Sequence, residues 1–160
     1  MTITIEYLED PNGDLQVVDF LSDLADKALK DDDYSNLLKR IDTVFTILEE
    51  IGVPEIDNRT HFATGHKNQT ITLVDIVKEL EDHPPLLETR ANWRGVGDGA
   101  FRAIFFYEKD RDGNQTIYFT QALLKEDTYS PAFEQAVQIS EQMMYDFYSK
   151  KGGTVTWDNA

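Results

Sequence analysis

The sequence predicts an α+β domain. Residues 86–124 hold three extended apolar-rich segments, Leu86–Trp93, Ala100–Tyr107 and Thr116–Leu124, and the last two flank an Asp112-Gly113 pair. Two amphipathic helical patterns lie within residues 15–51. One long helical pattern with its own start and stop residues follows the extended segments. Helices grouped at the ends of a run of strands argue for an antiparallel sheet with helices packed on it.

From the N-terminus, Thr2–Leu8 alternates Ile3, Ile5 and Tyr7 with Thr2, Thr4 and Glu6, which is the period of a strand. Asp10-Pro11-Asn12-Gly13 is turn chemistry. Over Leu15–Leu29, residues Val17, Val18, Leu21, Leu24, Ala25 and Ala28 recur at helical spacing. Asp31-Asp32-Asp33 interrupts that pattern and caps a second helix, Tyr34 to Ile51. Its stripe is Leu37, Leu38, Ile41, Val44, Phe45 and Leu48, and Gly52 and Pro54 end it.

Residues 55–85 are expected to be an inserted segment. His61–Asn68 reads as loop and Gln69–Ile71 as extended, and Thr72–Asp82 reads as a helix with Leu73, Ile76, Val77 and Leu80 inward. His83-Pro84-Pro85 stops it.

Asp112-Gly113 is a strong hairpin signal. As the centre of a two-residue turn it pairs Tyr107 with Tyr118 and puts Arg102 opposite Leu123, with Lys125 on the face of Arg102. A loop symmetric about Val96 then sets Arg90 opposite Arg102, with Glu88 diagonal. Two facing arginines repel unless an anion lies between them, and Glu88 or a phosphate would serve. Phe101, Ala103 and Phe105 on one face, with Ile104 and Phe106 on the other, predict a sheet covered on both sides. The final helix has Ser130 as N-cap, Pro131 in first place and Gly152-Gly153 at its end. Thus 1–153 is expected to form one domain, with 154–160 a loosely held tail.

The chain has 160 residues, 41% of them hydrophobic, enough for a core and too apolar for a disordered tail. It has no cysteine, which excludes disulfides, thiolate metal sites and cysteine nucleophiles. The sequence MTITIEYLEDP has neither the basic nor the apolar region of a secretion signal, and no apolar run suits a bilayer, so a cytoplasmic location is expected. The net charge is −15, unevenly spread. Residues 6–33 carry ten acids against Lys27 and Lys30, whereas 86–129 carry seven acids and six bases. The acidic half either confers solubility or repels nucleic acid.

Leu86–Arg90, Phe101–Phe105 and Ala122–Pro131 stand in the order and near the spacing of three motifs of the RelE/HigB-like toxin superfamily. The chain resembles its phage-derived branch, which has Leu-x-Glu-Leu-Arg, then Tyr-Arg-Ile-x-Tyr, then Gly-Phe-x-Lys-Lys-x-x-x-x-Pro. The first half agrees in order of elements, and 55–85 is extra to most relatives. The resemblance implies a RelE-like fold, in which an N-terminal strand and helical hairpin pack on an antiparallel sheet with a C-terminal helix. It also implies a toxin of a toxin–antitoxin pair, neutralised by a cognate antitoxin and cutting mRNA on the ribosome without metal or cofactor. DNA and membrane are not expected as partners.

In such cleavage the substrate's 2′-hydroxyl attacks, and the protein stabilises phosphate charge and supplies a proton to the leaving oxygen. Arg102 matches the strand arginine, a phosphate clamp or a structural ion-pair partner. Arg90 matches the arginine closing the first motif, where Thr89 replaces leucine. Lys125 matches the first lysine of the pair; Glu126, followed by Asp127, replaces the second and turns a cationic corner anionic. Tyr129 stacks on a base, donates a proton or anchors the last helix. His61, His66 and His83 lie in or beside the insertion with no metal-binding spacing and no visible partner. The glycine-rich 93–99 joins antiparallel strands and reads as a loop at the mouth of the site. These departures leave a second function open: a non-enzymatic phage or prophage protein that keeps the fold to bind another protein.

Overall fold

A computed structural model of the chain describes residues 1–54, 61–64, 70–73, 76–92, 100–125 and 130–150. It is α+β, with three helices and a five-stranded mixed sheet among these residues. The elements are β1 (Ile3–Tyr7), α1 (Gln16–Ala28), α2 (Asp32–Ile51), β2 (His61–Thr64), β3 (Thr70–Leu73), β4 (Val77–Glu79), β5 (Leu87–Asn92), β6 (Ala100–Lys109), β7 (Gln115–Lys125) and α3 (Pro131–Lys150). The sheet order is β1-β7-β6-β5-β4, with β1 parallel to β7 and the other pairs antiparallel. β2 and β3 form a separate two-stranded hairpin.

Local chemistry sets the ends of these elements. Asp31 caps α2 by accepting a hydrogen bond from the Asp33 amide at 2.9 Å. Ser130 does the same for α3 toward Phe133 at 3.2 Å. Gly52 ends α2 at φ +74°, and a Cβ there would lie 2.5 Å from the Gln115 amide oxygen. That oxygen accepts from the Val53 amide at 2.7 Å, so the helix end is tied to β7.

The sheet separates two apolar layers. On one side Val17, Leu24, Leu37, Ile41, Val44, Phe45 and Leu48 of α1 and α2 meet Phe101, Phe105, Ile117 and Phe119. On the other, Ala136, Val137 and Met144 of α3 meet Leu86, Ile104, Phe106 and Tyr118. Strand alternation sends odd-numbered residues of β6 to the first layer and even-numbered ones to the second. The expectation of a sheet covered on both faces agrees with this.

The β6–β7 hairpin departs from the expected two-residue turn. Lys109 pairs with Gln115, and Tyr107 pairs with Ile117 rather than Tyr118. The reason is Asp110: its carboxylate accepts from the amides of Asp112 and Asn114, both at 2.9 Å, and holds a longer loop with Gly113 at φ +84°. Asp10 builds the same loop before α1, accepting from Asn12 and Asp14 at 2.9 Å with Gly13 at φ +84°. The one-residue difference is absorbed by a bulge at Thr120, between the pairs Ile104↔Gln121 and Phe105↔Phe119. The buried Thr120 hydroxyl donates to the Ile104 carbonyl (3.0 Å) and bonds Ser140 of α3 (2.7 Å). Beyond the bulge the expected register returns, with Arg102 opposite Leu123.

Residues 77–79 form a strand where the sequence predicts a helix over 72–82. β4 lies at the sheet edge, pairing Val77 with Thr89 and Glu79 with Leu87. The apolar spacing of Ile76, Val77 and Leu80 is helical, but a strand covered on both faces needs no single period, and the β-branched Ile76 and Val77 favour extended chain. Ile76 and Val77 are fully buried in the α1/α2 layer, and Leu80 packs on the α3 layer. The Ile76 carbonyl accepts from the Thr89 hydroxyl (2.7 Å) and the Arg90 amide (3.1 Å). Residues 76–79 are therefore built into the sheet, 77–79 as its edge strand. The Leu73 side chain, the 93–99 loop and the 154–160 tail lie outside the described residues.

Candidate anion site

The register of the two central hairpins puts three charged residues on the α3 side of the sheet. Arg90 of β5 faces Arg102 of β6, as the sequence predicts, and Glu88 faces Ile104 one step along. Strand alternation turns all three side chains to the same face as Ile104 and Phe106. Arg102 is 8% exposed and Glu88 6%. Arg90 is partly buried.

One carboxylate oxygen of Glu88, Oε1, stands 3.9 Å from Arg90 Nε and 3.9 Å from Arg102 Nη1. That is near enough for charge attraction and too far for a hydrogen bond. Glu88 Oε2 and Arg102 Nε and Nη1 are buried with no hydrogen-bond partner. Burial pulls the pKa of the Arg102 guanidinium below its ordinary value; Glu88 opposes that shift and Arg90 adds to it. The cation is thus enclosed and matched to a carboxylate, not displayed on an open positive face.

Lys125 shares the sheet face of Arg102, but its ammonium lies 4.8 Å over the Phe133 ring of α3, a cation–π contact. Tyr129 lies outside the described residues, as do Glu126, Asp127 and His66 and the side chain of His61. Of the sequence-predicted site residues that are described, the fold pairs Arg90 with Arg102 and directs Lys125 to a ring.

His83 has a partner that sequence could not indicate. Its Nδ1 contacts the Glu141 carboxylate of α3, which ties the β4–β5 turn to that helix. Fifty-eight residues separate the two, and no local spacing signals the pair.

Two guanidiniums and a carboxylate can hold or balance an anion. Proton transfer needs a further group near the reacting atoms, a role for which the sequence candidate is Tyr129. Among the described residues no cluster of three or more His, Asp or Glu side chains is arranged to hold a metal ion, and no helix is long and apolar enough to cross a membrane. Comparisons with protein-family models, with curated proteins and with solved structures found no match to this chain.

Proposed function

We propose that this protein is a divergent, acidic relative of the RelE/HigB-like toxins that cuts RNA weakly or not at all and acts by binding a protein partner. The observation that carries this reading is the state of Arg102. The cation that the resemblance assigns to the phosphate of the cleaved strand is 8% exposed and faces a buried carboxylate. A guanidinium so enclosed stabilises little charge on a polymer outside the sheet. The net charge of −15 also opposes long-range attraction of an anionic chain.

The second reading is the active toxin, a metal-independent endoribonuclease acting on ribosome-bound mRNA and held by a cognate antitoxin. Its support is that Arg90 and Arg102 remain adjacent and that two Arg102 donors have no partner.

Expression in a bacterial host without a partner separates the two. The proposal expects continued growth, intact mRNA and a folded protein. Growth arrest with mRNA cleavage that Arg102→Ala abolishes would establish the toxin reading and overturn the proposal. Arrest that survives Arg102→Ala would reject both the proposal and this site.

A further inference from the structure

β1 is an end strand of the sheet, and among the described residues its outer edge is unpaired. The Gln115 amide donates to the Thr2 carbonyl at 2.9 Å, and the Leu8 amide donates to the Phe119 carbonyl at 3.0 Å. In a parallel ladder a residue turns its N–H and C=O to the same side, and successive residues alternate. Thr2, Thr4, Glu6 and Leu8 therefore face β7, while Ile3, Ile5 and Tyr7 turn their backbone N–H and C=O outward. Natural sheets guard such edges with lysine, proline, a bulge or a covering element. β1 has no lysine, proline or register shift, and its one charge is Glu6. The surroundings carry the same sign. Glu6 is exposed and lies beside Tyr118, on the α3 face. On the α2 face, burial and then the Glu49 carboxylate push the Tyr7 phenol above its ordinary pKa. Past Tyr7 a cavity of about 490 Å³ opens between the turn after β1 and the end of α3. Its charged lining is Glu9, Asp10, Asp146 and Lys150, and Leu8 and Phe147 supply apolar wall. Such a lining suits the aliphatic stem and cationic head of a lysine or arginine side chain. A second copy of the chain would bring its own Glu6 and a net charge of −15 to this edge, which opposes self-pairing and favours a basic strand.

We propose that the outer edge of β1 takes up an extended, lysine- or arginine-bearing segment of a partner protein as an added strand, with one basic side chain seated in the cavity between Glu9 and Asp146. The backbone of Ile3, Ile5 and Tyr7 supplies the hydrogen bonds, and the carboxylates supply the preference for a basic chain. This names the chemistry of the partner and rests on the partner-binding reading; the test reads binding by the purified chain and not host growth, so failure here and failure there are told apart.

A phage-displayed library of random heptapeptides is selected on the purified full chain, and the recovered peptides are synthesised and titrated by fluorescence anisotropy. The expected result is recovery of sequences rich in lysine and arginine that bind saturably. Methylating alternate backbone nitrogens of such a peptide leaves its charge intact. One of the two alternate sets should weaken binding by about tenfold or more, through lost backbone hydrogen bonds, and the other set should change it little. Ile5→Pro should also weaken binding by about tenfold, because the N–H it removes faces outward and the β1–β7 ladder keeps its bonds. Glu6→Lys combined with Glu9→Lys should weaken binding by about tenfold and reduce its salt dependence. Recovered peptides without basic residues, equal effects of the two methylated sets, binding unchanged in Ile5→Pro, or no saturable binding would overturn the proposal. So would a dimer of the natural chain, seen by sedimentation, that Ile5→Pro dissociates, since the edge would then belong to a second copy. Should Ile5→Pro fail to fold, the methylated peptides decide.

Discussion

Removing one charge from the Glu88–Arg102 pair should cost far more than removing both. At 3.9 Å, with an effective dielectric constant of about 20, two unit charges attract by roughly 4 kcal/mol. Glu88→Met forfeits that attraction and leaves Arg102 buried beside Arg90, a like charge. The relief of no longer burying Glu88 offsets part of it, so the expected loss is about 3 kcal/mol, at the lower end for a broken buried pair. Arg102→Met should cost less, about 1–3 kcal/mol, because Glu88 keeps Arg90 at 3.9 Å. The double variant removes both desolvation costs and three unpartnered buried atoms. It should match the natural protein or exceed it by about 1–2 kcal/mol. Equilibrium urea unfolding of all four proteins gives the free energies and the coupling between the sites. A double variant less stable than either single, or a Glu88→Met loss under about 1 kcal/mol, would refute the reasoning that these charges are mutually dependent.

Three further outcomes can be checked alongside. Gly52→Ala combines a left-handed backbone with a Cβ 2.5 Å from the Gln115 side chain; a loss of about 2 kcal/mol or more is expected by urea unfolding. Ile76→Ala should cost about 2–4 kcal/mol if 76–79 belongs to the sheet, whereas a near-neutral result would place the segment outside the core. The Asp110 carboxyl is held below the usual carboxylate range, first by the Asn114 side chain and then by backbone amides of its loop. Its contribution is therefore complete above the unfolded carboxylate pKa and lost as pH falls through the lower folded value; a carboxyl NMR titration should show that lowered midpoint, and Asn114→Ala should raise it.

Much of this fold can be read from the sequence because each strand and helix carries its own local code. The α2 stripe with Asp31 before it and Gly52 after it, and the α3 pattern behind Ser130-Pro131, specify their elements within a few residues. The pairing of Arg90 with Arg102 follows from loop symmetry and strand period alone. Two features resist such reading. Ile76, Val77 and Leu80 keep a helical spacing, and the choice of strand depends on the hydrogen bonds β5 offers to Ile76 and Val77. The hairpin loop obeys the Asp110 side chain rather than the Asp-Gly pair, and the compensation at Thr120 lies far from the turn. At the site, residue types announce the charges but not their exposure. The enclosure of Arg102 depends on how the layers pack around β6, and the His83–Glu141 contact depends on the placement of α3.

The parallel pairing of β1 with β7 has a consequence for how the chain is made. Ile3 meets Gln115 and Tyr7 meets Phe119, so β1 finds its place only after β7, more than a hundred residues later, has been made. Until β6 and β7 leave the ribosome, the stripe of Leu37, Ile41, Val44, Phe45 and Leu48 has no sheet to cover it. Contacts this distant in sequence slow folding and prolong the life of sticky intermediates. The dense carboxylates of residues 6–33 precede that stripe in the chain. Like charge opposes the close approach of two such segments during the interval. The acidity of residues 6–33 thus acts on the unfinished chain as well as on the folded one.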